Sequence, residues 1–290
     1  MPDGKPTRPL ILPIFLPHQG CPHRCIFCQQ ETITAQTSRP IHKATVTHIL
    51  DTALATAMVH GRREREIAFY GGTFTGLPLE KMKELLEGAR PYLERGHFHS
   101  IRVSTRPDEL DEERAELMKG YGVSTVELGV QSMDDRVLEM AQRGHTVQDT
   151  MKAVHLLKGY GFRLVVQLMP GLPGDTEEGF LKTVDHVIGL RPQMVRLYPA
   201  VVIRGTVLAR WYKEGRYRPL ELEEAVRICR ESCIRLEKKG IPVISFGLIS
   251  NPILSREGQI IAGPWHEAFG FLVRWKIHQE KIESFFPKRG

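Results

Sequence analysis

The chain has 290 residues, 41% of them hydrophobic and 26% charged, which suits one large globular domain or a domain with an extension. No apolar run is long enough to span a bilayer and no apolar core follows a basic N-terminus, so a cytoplasmic chain with no membrane partner is expected. The net charge of +6 is unevenly spread: residues 1–200 carry 24 Lys and Arg against 24 Asp and Glu, residues 201–290 carry 16 against 10, and a local basic excess points to a polyanionic partner.

Residues 1–9 are polar, hold three prolines and read as a flexible tail. LILPIFL (10–16) is the first strand and leads into the cysteine loop CPHRCIFC (21–28). A helix over 44–60 is followed by the strand EIAFY (66–70), which ends at GGTFTG (71–76). A helix at 79–94, a strand at 100–104 and the turn TRPDEL come next, then the helix DEERAELMKGYG and the strand STVELGV (124–130). Two helices precede the strand FRLVVQLM (162–169), which ends in PGLPG; a further helix leads to the strand QMVRLYPA (193–200). These six strands alternate with helices, which predicts right-handed βα units and a parallel sheet. The expected fold is α/β, a partial (β/α)6 TIM-like barrel over residues 10–200. Cys21, Gly71, Thr105, Gln131, Pro170 and Pro199 all follow strand C-termini, the edge where ligands gather in such folds. Residues 201–290 read as a basic C-terminal α/β extension, with helices near 221–239 and 266–280 and a strand at IPVISFGL.

Cys21, Cys25 and Cys28 are spaced C-x3-C-x2-C, too clustered for a disulfide framework. Thiolates are soft ligands for zinc and iron–sulfur clusters. A cluster with three cysteine-bound irons and one iron open to another ligand suits the count. Structural zinc wants four ligands, and His18 or His23 could supply the fourth. Cys229 and Cys233, four apart on a helix, read as small apolar residues on one face.

The triplet, with Phe27 before its last cysteine, resembles the radical S-adenosylmethionine (radical SAM) superfamily. The resemblance implies a 4Fe-4S cluster on Cys21, Cys25 and Cys28, with SAM chelated at the fourth iron and cleaved to a 5′-deoxyadenosyl radical. It implies a low-potential electron donor such as ferredoxin or flavodoxin. Gly71, Gly72 and Thr73 would then meet the SAM ammonium, and Gln131 and Arg143 resemble the pair of the coproporphyrinogen-oxidase-like branch, with Arg143 toward the SAM carboxylate. Ser104 stands where the family usually has an acidic residue for the ribose, so that contact is weaker here. Thr105 and Arg106 beside it could be structural. MPGLPG (169–174) resembles the adenine-side turn.

VELGVQSMDDRVLEMAQRGHTV, LMPGLPGD and VRLYPAVVIRGTVLARWYKEGRY resemble the Elongator catalytic-subunit branch of the superfamily, which acts on wobble uridine in transfer RNA. That branch carries an acetyltransferase domain for which this chain looks too short, so use of acetyl-coenzyme A is not carried over. From the residues themselves, Arg204, Arg210, Lys213, Arg216 and Arg218 lie among Trp211, Tyr212 and Tyr217, a mixture suited to phosphates and exposed bases. Arg204, Arg210 and Trp211 are candidate substrate contacts, and Tyr198 is a candidate to line the substrate cavity. The leading expectation is an RNA-modifying radical SAM enzyme. A small-molecule enzyme related to the tetrapyrrole branch and a zinc-stabilised RNA-binding module remain as alternatives.

Overall fold

A computed structural model of the chain describes residues 9–56 and 64–285. The expected tail therefore lies outside the described residues except for Pro9, as does the end of the helix expected at 44–60. In chain order the elements are β1 (Leu10–Phe15), α1 (Gln30–Thr34), α2 (Lys43–Leu54), β2 (Arg65–Tyr70), α3 (Leu79–Glu94) and β3 (Ser100–Thr105). Next come α4 (Glu112–Gly120), β4 (Val123–Gln131), α5 (Asp135–Met140), α6 (Val147–Gly159), β5 (Arg163–Leu168), α7 (Glu177–Leu190) and β6 (Met194–Leu197). The last stretch holds β7 (Val202–Ile203), α8 (Val207–Lys213), α9 (Leu222–Lys238), β8 (Val243–Phe246), β9 (Ile260–Ala262) and α10 (Phe269–Phe285). Seven strands form one sheet in the order β1-β2-β3-β4-β5-β6-β8, and β7 and β9 form a separate antiparallel pair. Among the described residues no helix is long and apolar enough to cross a membrane.

The chain divides into two compact units. The first takes in the described residues of Met1–Pro22, Gln36–Leu128 and Ala153–Leu164; the second takes in those of His23–Ala35, Gly129–Lys152 and Val165–Gly290. In the first, β1, β2, β3 and the bulk of β4 pair in parallel. Their apolar residues are the reason: Ile67, Phe69, Ile101, Val103, Val126 and Leu128 are at most 1% exposed. Pro13 fits because β1 ends the strand order among the described residues, so that one edge of its backbone has no strand there to bond. α3 buries Met82, Leu85, Leu86 and Ala89 at helical spacing.

A charged row interrupts this apolar pattern. Arg102 on β3 donates from Nε to Glu66 on β2 and from Nη1 to Glu127 on β4, both at 2.9 Å, and Tyr70 donates to the same Glu127 oxygen at 2.7 Å. Burying these charges is tolerable because each meets an opposite charge in good geometry.

In the second unit β5, β6 and β8 pair in parallel. The strand expected in the C-terminal extension thus joins the main sheet as a seventh member, which the six-strand reading did not foresee. α9 buries Ala225, Ile228, Cys229, Cys233 and Leu236 on one stripe. Both cysteines are fully buried, and burial pushes the Cys229 thiol up, away from ionisation.

Candidate functional site

The first unit holds the approach to Cys21. Beyond β1 the chain turns so that Leu16 donates its N–H to Tyr70 at 2.6 Å and Thr73 donates its N–H to the Gln19 carbonyl at 2.9 Å. Two glycines allow this backbone-on-backbone contact. A Cβ on Gly72 would lie 2.1 Å from the Gln19 oxygen, and one on Gly20, itself at φ +71°, would lie 2.1 Å from the Thr73 oxygen. The result brings Cys21 Sγ to 3.2 Å from the hydroxyl of Thr73, which is 1% exposed. Gly71 takes φ +99° as the chain leaves β2. The glycine stretch expected at a cofactor and the first cysteine are therefore neighbours.

Ser104 lies half-buried on β3, in register with Glu127. Thr75 and Thr105 share a hydroxyl–hydroxyl hydrogen bond. Arg106 directs Nε and Nη2 to the two oxygens of Asp108, at 3.0 and 2.7 Å. Thr105 and Arg106 thus have structural partners, as the sequence allowed.

The second unit holds Cys25 and Cys28. Cys28 donates its N–H to the Cys25 carbonyl at 3.1 Å, closing a tight turn. Ile26 between them is fixed on both sides: its N–H reaches the Ala141 carbonyl at 3.3 Å and its carbonyl takes the Leu208 N–H at 2.9 Å. Phe27 packs against two groups of buried residues, one containing Ile26, Val202 and Leu208, the other Val137, Ala141 and Met169. Its expected place before the last cysteine is therefore also a packing role.

Arg143 is 6% exposed and donates from Nη1 to Cys25 Sγ at 3.0 Å and from Nη2 to the Gly129 carbonyl at 2.7 Å. The family resemblance set Arg143 toward the SAM carboxylate and did not foresee contact with a cysteine. His23, one of the two histidines weighed for zinc, has Nε2 at 3.1 Å from the Arg143 carbonyl oxygen. Gln131, at the end of β4, takes φ +68° although it is not glycine, an uncommon conformation that costs about 1–3 kcal/mol and is characteristic of functional sites. Its carbonyl takes the Met169 N–H at 2.9 Å.

The segment 204–218 is more structural than its composition implied. Thr206 caps α8 by accepting from the Ala209 N–H at 3.0 Å. Trp211 packs on the buried group around Ile26, with the Arg216 guanidinium 4.8 Å from its ring centre. Tyr217 is buried and donates to the Gly171 carbonyl at 2.6 Å; burial pushes its phenol well above its ordinary value. Arg204 donates from Nε to Gly258 at 2.6 Å. Arg218 pairs with Glu224 at 3.1 Å. The exposed side chains are Arg204, Arg210, Tyr212, Lys213, Glu214, Arg216 and Arg218. Tyr198 donates to Ser245 at 3.1 Å and accepts from Arg196 at 3.2 Å, partners that sequence reading missed.

None of the five cysteines is joined in a disulfide. Among the described residues no three His, Cys, Asp or Glu side chains form a group that could hold a metal ion. The chemistry of the donors nonetheless fits an iron–sulfur cluster and not a hard cation. They are thiols; Cys25 faces a guanidinium, which suits an anionic sulfur centre, and Cys21 faces a hydroxyl.

Comparisons with known proteins point the same way. A model of the radical SAM superfamily matches residues 15–187, and one of the radical SAM C-terminal domain matches residues 192–279. The chain is 30% identical over 280 residues to an uncharacterized protein of Methanocaldococcus jannaschii, covering 93% of this chain and 82% of that one. It is 41% identical over 129 residues to the tRNA uridine(34) acetyltransferase of the same organism, covering 43% of this chain but 24% of that relative's length. The solved structure of archaeal Elp3 from Methanocaldococcus infernus has a TM-score of 0.71 at 23% identity, covering 94% of this chain and 63% of that one. This likeness shows the fold: the expected α/β arrangement of parallel strands and helices is the one that structure shares.

Proposed function

The chain belongs to the radical SAM superfamily, in its Elongator-like branch, and from that premise we propose that it is an enzyme that modifies a nucleotide of RNA. Enzymes of the superfamily use a 4Fe-4S cluster and SAM. In this chain Cys21, Cys25 and Cys28 would hold the cluster. When bound, the cluster supplies the electron that splits SAM into methionine and a 5′-deoxyadenosyl radical.

The chain's own residues position and shield. Arg143, held by the Gly129 carbonyl, aims a charge-assisted donor at Cys25 and is in place to neutralise negative charge there. Gly72 and Thr73 present backbone and hydroxyl groups for the SAM ammonium, and Ser104 a hydroxyl for its ribose. Phe27 excludes water by filling the space between two apolar groups. The observation that carries this reading is the approach of Arg143 to Cys25, a buried guanidinium on a thiol of the triplet.

Support for RNA comes from the solvent-facing cations Arg204, Arg210, Lys213, Arg216 and Arg218 with Tyr212, and from the likeness to the M. jannaschii tRNA uridine(34) acetyltransferase. A low-potential donor such as a ferredoxin or flavodoxin would supply the electron, and the expected compartment is the cytoplasm. The test compares modified-nucleoside profiles of total RNA, by mass spectrometry, from cells with and without the gene. A nucleoside that disappears supports the reading. Unchanged profiles with intact SAM cleavage turn it toward a small metabolite.

A further inference from the structure

We propose that Tyr217 and Asp175 are positioning residues for SAM: they clamp Gly171 from its two sides and so fix the turn 169–174 as a wall of the cofactor's site beside the cysteine turn. This deepens the reading above and rests on it, since it names what holds that site in shape.

All the parts lie in the second unit. The turn follows the C-terminus of β5, the edge where ligands gather on a parallel sheet. Met169 and Leu172 of the turn belong to one buried group on which Phe27 packs, and Phe27 stands between Cys25 and Cys28. Tyr217 belongs to the other buried group that Phe27 touches, together with Ile26. Tyr217 therefore joins the turn to the cysteine loop: its ring shares a buried group with Ile26, and its hydroxyl donates to the Gly171 carbonyl at 2.6 Å. Asp175 holds Gly171 from the other side. The N–H groups of Gly171 and Thr176 both favour its ionised carboxylate, the second through a hydrogen bond of 2.9 Å to Oδ1. Asp175 also donates its own N–H to the Leu172 carbonyl at 3.0 Å. The neighbouring carbonyls are taken up too: Pro170 accepts from the Ala200 N–H at 2.9 Å and Gly174 from Arg136 Nη2 at 3.0 Å. A chain reversal needs one such bond at most. The surplus holds a surface rigid before a ligand arrives, so less freedom is lost on binding.

The two halves of the clamp differ in how they respond to pH. Burial keeps the Tyr217 phenol protonated, so its bond to Gly171 persists. Asp175 Oδ2 is buried with no hydrogen-bond partner among the described residues, a place where charge costs free energy. Desolvation pushes the carboxyl up to about 6; Asp134, which caps α5, adds to this and Arg136 on α5 opposes it. With Tyr217 these are the charged and titratable groups that act on Asp175. An ionised carboxylate holds an N–H more strongly than a neutral group does, and that hold on Gly171 is what the cost secures. Protonation weakens it, so SAM affinity falls as pH drops through about 6.

The test uses cluster-loaded, anaerobic full-length protein. SAM affinity is read from the change in the electron paramagnetic resonance spectrum of the reduced cluster as SAM is added. Tyr217→Phe keeps the ring and removes only the donor, and we expect it to lower SAM affinity about threefold to tenfold. Wild-type affinity is expected to fall between about pH 7.5 and about pH 5.5. Asp175→Asn is expected to bind SAM at about pH 7.5 as weakly as wild type does at about pH 5.5, and to show no fall between the two. Urea midpoints separate positioning from a merely structural role. At the higher pH Asp175→Asn is expected to be more stable than wild type yet to hold SAM less tightly, so stability and affinity move in opposite directions. A Tyr217→Phe variant that binds SAM as wild type does, or an Asp175→Asn variant that keeps the wild-type pH profile, overturns the proposal. The radical SAM reading fails on a different result, absence of 5′-deoxyadenosine from wild-type protein given SAM and reductant.

Discussion

Arg143 reaches across 118 residues of sequence to place its Nη1 3.0 Å from the sulfur of Cys25. Its second amino group is tied to the Gly129 carbonyl at 2.7 Å, so the guanidinium cannot swing away without breaking a backbone contact. Replacing Arg143 with Met should therefore lower the rate of 5′-deoxyadenosine formation by about 10- to 100-fold, the loss of one or two charge-assisted bonds. Lys should recover part of it. A role in tuning the sulfur would also shift the cluster's reduction potential, measurable by redox titration; an unshifted potential with normal cleavage would refute that role.

Cys25→Ala should abolish SAM cleavage and lower the iron and sulfide content after anaerobic reconstitution. Far-UV circular dichroism should stay as in wild type, because Ile26 and Phe27 are held by backbone bonds and apolar packing. Zinc in place of iron and sulfide in purified wild-type protein would favour the RNA-binding-module alternative.

Gly72→Ala should destabilise the first unit by about 1–3 kcal/mol, as overpacking does. The added carbon would sit 2.1 Å from the Gln19 oxygen and 2.5 Å from that of Leu16, both backbone atoms with no rotamer to escape into. Urea unfolding measures the loss. Gly120→Ala is the control, since nothing lies within 4 Å of its added carbon.

Arg102→Met should cost about 3–5 kcal/mol at pH 7, because it removes the guanidinium that two buried carboxylates share. Replacing both acids by Gln in the Arg102→Met background should restore much of the stability. A triple variant no more stable than Arg102→Met alone would count against this account.

Asp175, half-buried after the turn that follows β5, is pushed up to about 6 by desolvation, with the nearby Asp134 adding to the effect. Between its ordinary value of 3.8 and about 6 the folded chain keeps a proton that the unfolded chain has released. Stability from this residue therefore falls as pH rises through that window and stays lower above it. Asp175→Asn should raise the urea midpoint at pH 7.5 and leave it unchanged near pH 3, with the gain appearing between the two.

Several elements were readable because their cause is local. The strand expected at 66–70 is found at Arg65–Tyr70, and the helix expected at 221–239 is found at Leu222–Lys238, each driven by the spacing of its own apolar residues. The cysteine triplet was readable for a similar reason, since its chemistry lies within eight residues. What was not readable depends on contacts far apart in the chain. β8 pairs with β6 across α8 and α9, and no pattern within IPVISFGL says which neighbour it will take. Composition made Trp211 and Tyr217 look available for stacking, yet Trp211 lies half-buried against apolar neighbours and Tyr217 is buried. Arg102 left a signal that could have been used: an arginine inside a strand of otherwise small or apolar residues requires buried acids on its neighbours.

The turn that carries Cys25 and Cys28 is braced by Phe27 and by the clasp on Ile26, whose two anchors are Ala141 and Leu208. Any change that displaces the main chain at Ala141 or Leu208 would be passed through that clasp to the spacing of the two thiols, so positions remote in the chain share control of the ligand geometry.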